Sequence, residues 1–153
     1  MPHPTLESLG DVLAFAIRRE VEAAQGYAEM AKRATTPGLR TLLLELEGQE
    51  KEHRRLLENV ASAGLPASPE PLAPDMGLSD ALDDVPLDPD MTFQDLLIFA
   101  ARKEKRAEDL YAGLARRPEL APHRRLFEFL AGQERTHKLK LETEYENRVL
   151  TED

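Results

Sequence analysis

The 153-residue chain contains no cysteine. That one absence removes disulfides, zinc ribbons, thiolate nucleophiles, iron–sulfur clusters and rubredoxin-type centres together. No apolar run approaches the ~20 residues that span a bilayer. The first residues, MPHPTLESLG, lack a basic start followed by an apolar stretch, so no signal peptide is expected. A soluble, cytoplasmic protein is the expectation. A basic stripe is missing too. The formal net charge is -9, and residues 61–91 hold Glu70, Asp75, Asp80, Asp83, Asp84, Asp88 and Asp90 but neither Lys nor Arg, so this segment carries -7 and leaves -2 for the rest. Such a chain is a poor partner for nucleic acid or anionic lipid. The length suggests one domain, 1–153, able to bury a core without disulfides or a structural metal. Any metal site would then be functional rather than a folding staple.

What the chain does have is an internal repeat. SLGDVLAFAIRREVEAAQGYA starts at Ser8 and TFQDLLIFAARKEKRAEDLYA starts at Thr92, an offset of 84. The shared residues include Phe15/Phe99, Arg18/Arg102, Glu20/Glu104, Ala23/Ala107 and Tyr27/Tyr111. The same offset relates LEGQEKEH from Leu46 to LAGQERTH from Leu130. Two segments that keep one offset across an intervening loop argue for a duplicated helical hairpin.

Each half reads as two helices. Ser8 and Thr92 are good N-caps, with Asp11 and Asp95 three positions on. The first helix is expected from Leu9 to about Ala34. Thr36 caps the second, with Pro37 at its first position, where a missing N–H does no harm, and this helix reaches about Ala63. The third and fourth are expected over about Phe93–Arg116 and Ala121–Leu150. Hairpins over 8–63 and 92–150 then flank an acidic crossover, 64–91, in which prolines concentrate and where MGLSDALDD offers at most a short helical turn. The crossover is long enough to run the ~40 Å length of a helix. Two short-loop hairpins joined by one long crossover give the all-α, ferritin-like version of the four-helix bundle. Hairpins exchanged between two chains would look the same in sequence.

The helical stripes carry the chemistry. Spacings of three, four and seven align Leu13, Ala16, Glu20, Ala23 and Tyr27 on the first helix and Leu43, Leu46, Glu50, His53 and Leu57 on the second. The repeat aligns Leu97, Ala100, Glu104, Ala107 and Tyr111, then Phe127, Leu130, Glu134, His137 and Leu141. An ionisable group thus interrupts each apolar face near its middle. Four buried carboxylates without partners cost several kcal/mol each, so a cation is expected among them. Two divalent ions at +4 would match four glutamates at -4. Glu and His three residues apart reach one metal from one helix face, and a lone Glu precedes each Glu-x-x-His by thirty residues, 20 to 50 and 104 to 134. One imidazole per metal among carboxylates suits iron or manganese, with zinc a further choice. A single Glu-x-x-His is weak, and a charged pair of that kind is usually a solvated helix face. Two copies with matched lone glutamates are a strong pattern. His3 and His123 read as surface residues.

On FAIRREVEAAQGYA, GQEKEH, FAARKEKRAEDLYA and GQERTH, the chain resembles the rubrerythrin-like branch of the ferritin-like superfamily. The resemblance covers nearly everything outside the crossover. It implies a non-haem di-iron centre, two iron ions per chain, that reacts with hydrogen peroxide or dioxygen. Glu20 and Glu104 would be the lone ligands, and Glu50, His53, Glu134 and His137 the paired ones. Two departures stand out. Rubrerythrins that carry a rubredoxin domain hold a further iron on cysteines; none is present here, so an external electron donor is expected. They also carry an additional glutamate on the third helix, where this chain has Ala107. Glu108, next to it, is a possible extra ligand or an exposed carboxylate. The remaining set is closer to the four-glutamate, two-histidine sites of bacterioferritin-like proteins. Tyr27 and Tyr111 follow the lone glutamates by seven residues on the same face. They would orient a ligand carboxylate, relay single electrons, or simply fill the core.

Three readings follow: a redox enzyme for peroxide or dioxygen, a ferroxidase that handles ferrous iron, and a non-enzymatic bundle with a vestigial or structural metal site. A homodimer is expected, since bundles of this kind often pair.

Overall fold

The computed structural model describes residues 8–64 and 90–151. The helical turn expected within residues 76–84, and most of the acidic crossover, lie outside them. The described elements are α1 (Leu9–Arg33), α2 (Pro37–Ala63), α3 (Phe93–Ala115), a 3-10 segment (Pro118–His123) and α4 (Arg124–Thr151). Internal contacts divide the chain into two compact units, one holding α1 and α2, the other α3, the 3-10 segment and α4.

In the first unit, local chemistry sets the helix ends. The Ser8 hydroxyl accepts the Asp11 N–H at 3.1 Å, and α1 starts at the next residue. At the far end Arg40, from α2, donates to the Ala31 and Ala34 carbonyls at 3.4 and 3.3 Å. It gives the Ala34 oxygen a donor, adds a second to the Ala31 oxygen that already takes the Ala34 N–H, and places positive charge at the negative end of the helix dipole. Thr36 caps α2 by accepting the Leu39 N–H at 3.2 Å, with Pro37 leading the helix. Gly64 ends α2 at φ 86°, in the left-handed region that side chains resist.

The second unit repeats this plan. Thr92 accepts the Asp95 N–H at 3.1 Å to start α3. The hairpin is antiparallel: the Arg148 guanidinium near the end of α4 lies 4.7 Å from the centroid of the Phe93 ring at the start of α3. Further in, the Tyr111 and Phe127 rings stack with centroids 6.4 Å apart. The last helix starts three residues later than expected, at Arg124 rather than Ala121. Pro122 disfavours helical backbone at the residue before it, which sets it against a regular helix start at Ala121. Residues 118–123 therefore take 3-10 geometry, with Leu120 out of helical range at φ -105°, ψ 15°.

The expected stripes are the buried faces, with one shift. All five residues of each stripe on α2, α3 and α4 are buried. On α1, Leu13, Ala16, Glu20 and Tyr27 are buried, but Ala23 is half-buried and its neighbour Ala24 takes the inward place at 5% exposure. One residue is 100° of helix rotation, and small alanines on both sides of the boundary gave the periodicity nothing to decide with. Within the described residues, no helix is long and apolar enough to cross a membrane.

Because the Thr36 hydroxyl satisfies an N–H that the helix cannot, Thr36→Ala should lower unfolding stability by about 1 kcal/mol. Urea denaturation at constant m-value is the check, and an unchanged midpoint would mean that α2 does not depend on this cap.

Candidate metal centre

Hairpin geometry turns the thirty-residue spacing into proximity. Glu20 stands 13 residues before the end of α1 (33 − 20), and Glu50 stands 13 residues after the start of α2 (50 − 37). Both therefore lie ~20 Å from the turn, at 1.5 Å per residue. In the second unit the offsets are 11 (115 − 104) and 10 (134 − 124). Each Glu-x-x-His then faces the lone glutamate of its own hairpin.

In the first unit, His53 Nδ1 is 3.0 Å from Glu50 Oε1 and 3.8 Å from Glu20 Oε2. In the second, His137 Nδ1 is 3.6 Å from both Glu104 Oε2 and Glu134 Oε1. All four carboxylates are 0% exposed, and His53 and His137 are 2% and 1% exposed. One ligand atom from each of Glu20, Glu50 and His53 lies within 4.8 Å of the others, and the same holds for Glu104, Glu134 and His137. The structure thus gathers the six residues singled out by spacing into two sets of two carboxylates and one imidazole, one set in each hairpin.

A metal ion fits these donors. Oxygen and nitrogen ligands sit ~2.1 Å from a first-row divalent ion, so two donors sharing one ion at 90–120° are roughly 3.0–3.6 Å apart. The separations of 3.0, 3.6 and 3.8 Å are close to that range. Each set also brings two carboxylates into a dry interior around an imidazole, where charge is costly unless compensated.

Residues around the sets behave differently from one another. Leu46 and Leu130 are fully buried and Ala107 is 3% exposed. Tyr27 and Tyr111 are buried at 3% and 0%. Glu108, a possible extra ligand, joins neither convergent set. Its Oε1 lies 3.8 Å from Lys105 Nζ and 4.0 Å from Lys138 Nζ, with the side chain 20% exposed. Lys105 stays cationic there, because a hydrogen bond to Asp109 holds its ammonium above the usual lysine range against slight desolvation.

One residue of the centre escaped the periodicity. Arg19 Nη1 donates to Glu50 Oε2 at 2.7 Å and to Glu20 Oε1 at 3.2 Å, with only 11% of its side chain exposed. The signal available in sequence was a cation directly before each lone glutamate, Arg19 and Lys103. A residue adjacent to a stripe reads as a flank, and a long arginine stem reaches across that distinction.

Comparison with solved structures places this architecture. A hypothetical protein from Pyrococcus furiosus is 27% identical, with a TM-score of 0.71 over 91% of this chain and 89% of that one. A candidate ferritin-like diiron-carboxylate protein from Thermotoga maritima is 23% identical, with a TM-score of 0.70 over 95% and 97%. Both likenesses extend over the two hairpins, and the chain has the all-α, ferritin-like four-helix fold, built of duplicated hairpins joined by a long connection. Part of the chain is similar to a known family: residues 11–75, which take in most of α1 and all of α2, match the model of the rubrerythrin family. No curated protein matches the chain.

Removing one of two like charges from a buried set should stabilise the metal-free protein. Glu134→Gln is therefore expected to raise the melting temperature without metal by a few degrees, and to remove one set's share of any metal-induced stabilisation. For an intact set that share is about 2.7 kcal/mol at a free metal concentration 100 times Kd. Calorimetric melts of both proteins, with and without Mn(II), make the check; a metal response unchanged by the substitution would show that Glu134 holds no ion.

Proposed function

We propose that the chain is a non-haem di-iron redox protein that reacts with hydrogen peroxide or dioxygen and is returned to its reduced state by an external electron donor. The observation that carries the reading is the duplicated, fully buried set of two glutamates and one histidine. Each set supplies -2 against one divalent ion, and hard carboxylate oxygens with one imidazole suit iron better than a soft-ligand metal. The rubrerythrin match over α1 and α2 supports iron, as does the description of the like-folded Thermotoga maritima protein.

Iron, when bound, would supply one-electron redox chemistry and open positions for a small oxidant. The protein's own contribution is positional. Glu20, Glu50 and His53 would hold one ion, and Glu104, Glu134 and His137 the other. Helices rather than loops carry all six, so the donors stay fixed as charge changes between them. Leu46, Leu130 and Ala107 keep bulk water from the donors, which strengthens every charge interaction there. Tyr27 and Tyr111 stand seven residues beyond the lone glutamates, ~10 Å along the axis, and aromatic side chains on a helix lean toward its N-terminus. That lean would bring their hydroxyls nearer the carboxylates, and a role in orienting a ligand would show in Tyr→Phe variants as a changed spectrum at unchanged metal content.

The test is metal content per chain in protein purified without chelators, followed by absorption on adding ferrous iron and then peroxide. Two irons per chain and a near-ultraviolet band that grows with oxidant are the expected results, with one iron and the band lost in Glu50→Ala. Repeated ferrous oxidation with mineral formation would move the reading to iron handling. Failure of iron-loaded protein to react with either oxidant would overturn the redox role.

A further inference from the structure

The first set of ligands has a cation within hydrogen-bonding reach of both its carboxylates. In the first hairpin one nitrogen of Arg19 takes one oxygen from each carboxylate: Glu50 Oε2 at 2.7 Å and Glu20 Oε1 at 3.2 Å. The other oxygen of each, Glu50 Oε1 and Glu20 Oε2, is the one that faces His53 Nδ1, at 3.0 and 3.8 Å. The guanidinium therefore divides each carboxylate between two jobs. It also adds +1 beside two charges of -1, in a place where both glutamates are 0% exposed. The position 84 residues on holds Lys103, whose ammonium lies 5.2 Å from the centroid of the Phe99 ring. The hairpins thus place different cations at this point of the repeat. A guanidinium is planar, permanently charged and weakly hydrated, which suits a fixed place between buried carboxylates; an ammonium is compact and more strongly hydrated.

We propose that Arg19 is a positioning residue that attenuates the first metal position. It holds Glu20 and Glu50 so that each presents a single oxygen beside His53, and its charge opposes a cation bound to those oxygens. In the metal-free protein the same contacts compensate the buried pair, so Arg19 trades metal affinity for stability of the empty hairpin. This inference rests on the metal-binding reading above, and deepens it by placing a cation of the chain in competition with the metal at the first position.

The arrangement is tested with metal-free full-length protein titrated with Mn(II), followed by calorimetry and by loss of the free-ion electron paramagnetic resonance signal, alongside thermal melts without metal. Arg19→Gln and Arg19→Met keep the stem and drop the charge. Each is expected to tighten Mn(II) binding at the position held by Glu20, Glu50 and His53 by about tenfold, and to lower the metal-free melting temperature. Tenfold corresponds to about 1.4 kcal/mol, less than a charged hydrogen bond is worth. Arg19→Lys, which restores a positive charge, should return the affinity toward wild type, a rescue that a packing role would not produce. Wild-type affinities unchanged in both neutral variants would overturn the proposal, as would weaker binding, which would make Arg19 a support for the metal rather than an opponent. Failure of both variants to fold would assign Arg19 to folding alone and overturn it equally. Wild-type protein that binds no Mn(II), Fe(II) or Zn(II) would instead overturn the metal-binding reading itself.

Discussion

Four carboxylates sit at zero exposure in the middle of four helices, and most of what is distinctive about the chain answers that constraint. A glutamate withdrawn from water has to be compensated by a partner of opposite charge, by hydrogen bonds, or by a proton. Each hairpin brings two of them against one imidazole, at separations a shared cation would impose. The apolar positions around them make the problem sharper, because a low dielectric raises both the cost of an uncompensated charge and the reward for a compensated one. The helices supply the rigidity that lets such a set be held open, since no backbone hydrogen bond has to break for a side chain to point inward.

The hairpin is the device that makes the site cheap to encode. An antiparallel pair of helices brings together residues at equal distances from its turn, so one lone glutamate and one Glu-x-x-His per hairpin are enough. Caps fix the ends from which those distances are counted. Thr36 with Pro37, and Thr92, start their helices where the spacing requires. The turn of the second hairpin is longer and takes 3-10 geometry, yet its donors still meet. Duplication then yields two sets for one invention. What it does not preserve is the setting of each set: Arg19 engages both carboxylates of the first, whereas the second hairpin has Lys103 at that point of the repeat and places Glu108 among lysines of α3 and α4.

The chain by itself determined the number of helices, the starts of the first three, the duplication and the six residues that the structure gathers into two sets. These are carried by strong local signals: cap hydroxyls, proline at a first helical position, one repeat offset and apolar residues at a period of 3.6. Each acts through backbone geometry that neighbouring residues decide among themselves, and a thirty-residue spacing repeated at the same place in both halves rarely arises by chance. The tertiary structure alone decided which of two adjacent residues faces inward. Ala24 rather than Ala23 is buried, Glu108 turns to Lys105 and Lys138, the last helix waits until Arg124, and Arg19 reaches over the edge of its stripe to both glutamates. Periodicity defines a face only to within about one residue, or 100° of rotation. The final rotation of a helix, and the reach of a long charged side chain, are set by what packs opposite, and that information lies in residues thirty positions away.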